Sequence, residues 1–225
     1  MKNKIIRIFV VLAAMLPLWA EAESVWVPSA YWEAPMQWLQ KESTKSGIEM
    51  RALMLPTNMS GVDEFLKMTH GEPMAVSFYE DFKINDVVAP TCVIGRNSLV
   101  AWGEWLSFIG PGKEDWARFW LVAHEWAHCL DMREGGLKAE SSFRDKQMSE
   151  RRSDVFASLV LSYMTKTNDW YGSLARQRVL NDKKDLHDTV EVLNYMVKMK
   201  PQPGDGVLAW WGQAKKITAE VYGNE

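Results

Sequence analysis

Positive charge is in short supply in this sequence. Its 26 lysines and arginines are outnumbered by 29 aspartates and glutamates, which leaves a net charge of −3. No run of like charges, no low-complexity tract and no internal repeat stands out. A nucleic-acid partner is excluded on that balance, because binding phosphate calls for a basic face. Long apolar runs are missing after the first residues, so no segment there suits a membrane span of about 20 residues. Cysteine is scarce, with Cys92 and Cys129 the only two. They can form one bridge between a strand and a helix, or Cys129 can be a buried thiol, since free cysteine behaves as a small apolar residue. Histidine is nearly as scarce, at four in 225 residues. Two of those four stand four positions apart.

Residues 1–22 read as a cleaved signal peptide. Lys2, Lys4 and Arg7 form a basic start, an apolar run broken by Pro17 follows, and Ala20-Glu21-Ala22 is an A-x-A cleavage site. The alternative, an uncleaved anchor, needs a longer apolar run. A periplasmic or secreted bacterial protein is expected. Residues 23–225 then form one domain: a strand-rich lobe over about 23–133 and a helical lobe over about 134–225.

The histidine pair lies in His124-Glu125-Trp126-Ala127-His128, an H-E-x-x-H pattern. Its surroundings read as a helix over residues 115–131, preceded by Gly110-Pro111-Gly112 and stopped by Gly135-Gly136. Trp116, Phe119, Trp120, Leu121, Val122, Trp126, Cys129 and Leu130 make it apolar on nearly every face, so it should be buried. Two imidazoles and a carboxylate inside such a helix would be costly without a partner, and a divalent metal is that partner. Histidines four apart on a helix can converge on one zinc ion, at about 2.0–2.1 Å per nitrogen. Glu125 is turned about 100° from His124, where it can reach a metal-bound water rather than the metal.

Elsewhere, helices are expected at 29–45 and 61–69 and strands at 48–55, 74–79, 87–94 and 98–102. A turn at Gly95-Arg96-Asn97 joins the last two into a hairpin. A polar loop over 135–146 leads to helices near 148–166, 170–180, 183–199 and 206–221. The result is an α+β chain with the metal helix at the junction of its lobes.

A catalytic zinc site needs three protein ligands. If the chain were a metzincin, the third histidine would fall at position 134, where Glu134 stands instead. The next helix carries Glu150 and Asp154, at an i, i+4 spacing that puts both on one face. With the motif upstream, this E-x-x-x-D pair resembles the gluzincins, the thermolysin-like zinc peptidases. That resemblance implies a zincin-like fold, Glu150 as third ligand and Asp154 as the partner of His124's outer nitrogen, with Asp154 as ligand the rival reading. It also implies a later His or Tyr that stabilises the oxyanion, for which His187, Tyr163 and Tyr171 are candidates. His70 reads as a turn residue. The ten residues from His124 to Arg133 are also similar to the H-E-F-A-H-x-L-D-x-R signature of the Mlc titration factor A peptidases. Asp131, three residues past His128, is either a partner for that histidine or a helix-end residue.

The function expected is a zinc peptidase, with Glu125 activating the zinc-bound water and a peptide or protein as substrate. The resemblance implies an edge strand that pairs with the substrate, here sought in the 87–102 hairpin. A zinc-stabilised envelope scaffold without activity and a cell-wall amidase are the alternatives. No stable membrane span remains after signal cleavage.

Overall fold

The computed structural model describes residues 30–55, 75–84, 86–96, 113–138, 140–178 and 188–223. The expected leader at 1–22, the helix at 61–69, the strand at 98–102, His70 and His187 lie outside these residues. Among the described residues the chain is mixed α/β and mostly helical, with six helices and a three-stranded sheet. In chain order these are α1 (Ala30–Lys45), β1 (Arg51–Leu55), β2 (Ala75–Ile84), β3 (Val87–Arg96), α2 (Glu114–Arg133), α3 (Phe143–Thr165), α4 (Asp169–Arg178), α5 (Val190–Met199) and α6 (Val207–Tyr222). None of these helices is long and apolar enough to cross a membrane.

The sheet corrects one expectation. β3 is its central strand, parallel to β1 from Arg51↔Thr91 to Leu55↔Gly95 and antiparallel to β2 from Ala75↔Arg96 to Ile84↔Val87. Gly95 and Arg96 therefore sit in paired strand instead of a turn. Thr91–Gly95 is paired on both edges within the described sheet. The hairpin turn falls before β3, where Asp86 adopts φ 64°. Aspartate tolerates this left-handed conformation better than most residues.

α2 is buried because it is covered on several sides. It packs against α1, against β2 and β3, and against α3, while α6 closes over α3. Trp120, Trp126, Ala123, Ala127 and Cys129 are wholly buried. Trp126 Nε1 donates to Ser43 Oγ of α1 at 3.1 Å, which satisfies a polar group the core would otherwise orphan. Cys129 forms a disulfide with Cys92 of β3, Cα to Cα 5.6 Å, and ties the helix to the middle of the sheet. α2 stops where expected, with the Gly135 amide donating to Met132 O and the Gly136 amide to Asp131 O.

α3 begins earlier than the polar look of residues 135–146 suggests. Ser142 caps it in a reciprocal box: Ser142 Oγ accepts from the Asp145 amide at 3.2 Å, and Asp145 Oδ2 accepts from the Ser142 amide at 3.1 Å. Phe143 in its first turn is exposed, so the hydrophobic pattern starts only a turn later. The first and last helices also meet. Trp38 of α1 stacks on Trp210 of α6 with centroids 5.7 Å apart, and the Val207 amide donates to Ser46 Oγ.

Candidate metal centre

His124 and His128 project from successive turns of α2, and α3 brings Glu150 up to both. Glu150 Oε2 lies 3.1 Å from His124 Nε2, Glu150 Oε1 lies 3.3 Å from His128 Nε2, and the two Nε2 atoms are 3.1 Å apart. A zinc ion bound tetrahedrally at about 2.0–2.1 Å keeps its ligand atoms about 3.3 Å from one another. The three donors already stand at that spacing, and the group can hold a metal ion. The donor set, two imidazole nitrogens and a carboxylate oxygen, is one that zinc accepts.

The chain matches no family model, no curated protein and no solved structure.

Behind the donors lies an outer layer. Asp154, wholly buried one turn after Glu150, meets His124 Nδ1 with Oδ1 at 2.8 Å. Its carboxylate also accepts Arg178 Nε at 2.9 Å and Nη2 at 2.8 Å, and the Thr189 hydroxyl. Burial alone would raise the Asp154 pKa, but Arg178 and His124 hold it well below the usual carboxylate range. Burial works the other way on His124 and would lower its pKa. Hydrogen bonds to Asp154 and Glu150 outweigh that and push the imidazole up to about 10. Carboxylates that favour a proton on this ring also favour a metal cation beside it. Trp120 lies against the same ring at 5.4 Å, with the Arg178 guanidinium on the indole at 5.3 Å.

His128 is held differently. Its Nδ1 faces two hydroxyls, Ser149 Oγ at 3.0 Å and Ser153 Oγ at 3.2 Å. The partner suggested for it, Asp131, is engaged elsewhere: both its oxygens accept from Arg152 Nη1, at 3.0 and 3.3 Å. Asp131 is thus a helix-end residue tying α2 to α3. Gly136 packs so tightly here that a Cβ would stand 2.4 Å from Asp131 Oδ1. Glu134, the metzincin-position alternative, pairs at the surface with Lys215 at 2.8 Å.

Glu125, which follows His124 on α2, is buried, at 5 % exposed. Of the oxyanion candidates, the Tyr163 hydroxyl bonds Asp205 and the Tyr171 hydroxyl bonds the Pro201 carbonyl. His187 is outside the described residues. Sequence reasoning missed four residues of the outer layer: Ser149, Ser153, Arg178 and Thr189. The serine pair was open to discovery, since it repeats the i, i+4 spacing of Glu150 and Asp154 one residue earlier. Arg178 and Thr189 carry no such signal.

Proposed function

We propose that this protein is a zinc metallopeptidase of the gluzincin kind, with a zincin-like fold, acting in the periplasm or outside the cell. The observation that carries the reading is the convergence of His124, His128 and Glu150 at the spacing of a tetrahedral zinc site, with Asp154 on the outer nitrogen of His124. A zinc ion held there supplies a Lewis acid that polarises a carbonyl and acidifies a water. Asp154 fixes the His124 tautomer and ring direction. Glu125 takes a proton from the attacking water as its oxygen bonds to the peptide carbon, then delivers that proton to the amine as the C–N bond breaks. The Cys92–Cys129 bridge and the A-x-A leader favour an oxidising compartment.

β3 is internal, with β1 and β2 on either side of it in the described sheet.

Glu125→Gln keeps the shape and removes the basic oxygen. Zinc content should stay near one per chain while peptide cleavage falls about 10²–10⁴-fold. A Gln variant that binds zinc and cleaves at the parent rate removes Glu125 from the mechanism. A parent protein that binds zinc yet cleaves neither peptides nor cell-wall amides is a scaffold; one that cleaves only cell-wall amides is an amidase.

A further inference from the structure

We infer that Ser149 and Ser153 form a redundant, uncharged clamp that positions His128 for the metal, an inference that rests on the zinc site proposed above. Both side chains are completely buried, both come from α3, and both place an oxygen within hydrogen-bond distance of the same atom, His128 Nδ1. Nε2 of that ring faces Glu150 and His124. A neutral imidazole that gives Nε2 to a metal carries its proton on Nδ1, and that N–H must donate to something. The two serine oxygens are the acceptors, sharing one proton between them.

The sequence Ser149-Glu150-Arg151-Arg152-Ser153-Asp154 is thus two interleaved pairs, each four residues apart and turned about 100° from the other. The carboxylate pair serves the metal and His124; the hydroxyl pair serves His128. The difference in chemistry has a consequence for charge. Asp154 is an anion, and the buried Arg178 guanidinium offsets it through two hydrogen bonds. Among the described residues the His128 side has no comparable cation, because Arg152 is spent on Asp131. A carboxylate there would add an uncompensated negative charge beside the metal and weaken its pull on a substrate carbonyl. Hydroxyls orient the ring and leave the charge alone.

One Nδ1–H needs only one acceptor, so loss of either serine leaves the other in place. The zinc dissociation constant, read by competition with a chromogenic chelator, should change less than about threefold in Ser149→Ala or Ser153→Ala. In the double variant it should rise about 10–100-fold, the usual cost of losing an outer partner. Unfolding of the three metal-free variants, measured alongside, separates packing loss from this effect, because packing loss lowers stability without a synergistic change in zinc affinity. Nitrogen NMR of the zinc-loaded parent gives a second readout that needs no variant: His128 should show a protonated Nδ1 that exchanges slowly with water. A double variant within threefold of the parent overturns the clamp, as does a single variant with the full loss or an unprotonated Nδ1. A parent that binds no zinc overturns the peptidase reading and this one together.

Discussion

Two buried carboxylates flank the candidate donor His124, Asp154 across a hydrogen bond and Glu125 as its neighbour in the chain. Asp154 receives hydrogen bonds from Arg178, Thr189 and His124, which offset the cost of burying an anion. Glu125 is buried as well, and the proposed mechanism asks it to change its protonation during turnover. Asp154→Asn should therefore leave a folded protein with zinc affinity reduced about 10–100-fold through the loosened His124 ring. Glu150→Ala removes a donor atom and should weaken zinc binding far more, whereas Glu134→Ala, at the Lys215 surface pair, should leave it unchanged. Equilibrium dialysis of the three variants decides the point: zinc lost with Glu134 and kept without Glu150 would refute the ligand set. Much of this was legible in spacing, because ligands on two helices repeat at one helical turn. Arg178 and Thr189 were not, since they reach Asp154 from 24 and 35 residues away and neither lies in a motif.

Elements show the same boundary between local and distant information. α1, α2 and α6 were legible from apolar spacing and their glycine or proline breaks. α3 was placed a turn late because its start is written in a capping box and an exposed Phe143. Gly95 and Arg96 were read as a turn because Gly95-Arg96-Asn97 looks like one locally. Pairing of Gly95 with Val76 of β2 and Leu55 of β1, and of Arg96 with Ala75 of β2, makes those two residues paired strand. The disulfide was an open question, as spacing in sequence says nothing about Cα separation. It closes a loop of 37 residues that includes most of α2. Chain-entropy reasoning puts the gain from such a loop at about 2–4 kcal/mol. Cys92→Ala combined with Cys129→Ala should therefore lower the unfolding free energy of the metal-free protein by about that amount in urea titration. An unchanged midpoint would mean that the bridge constrains nothing the fold does not already hold.

At the scale of the whole molecule, the candidate metal centre is a joint between helices. α2 supplies two donors and α3 the third, while Arg178 of α4 and Thr189, just ahead of α5, reach the same cluster. A ligand that binds only the folded state stabilises it by about 2.7 kcal/mol when present at about 100 times its dissociation constant. For a chain of this size, that corresponds to about 5–10 °C in melting temperature. Adding zinc at such an excess to chelator-treated protein should raise the melting point by that margin, and a melting curve indifferent to zinc would count against a site built across these helices. The clasp between α1 and α6 bears on a different event, the chain's delivery. Ser46 and Val207 touch across 161 positions, and the stacked Trp38 and Trp210 span nearly the whole described chain. A polypeptide emerging amino end first presents both histidines and Glu150 well before α6 arrives to cover α3. α6 therefore closes over α3 last among the described elements, after all three candidate metal donors have emerged.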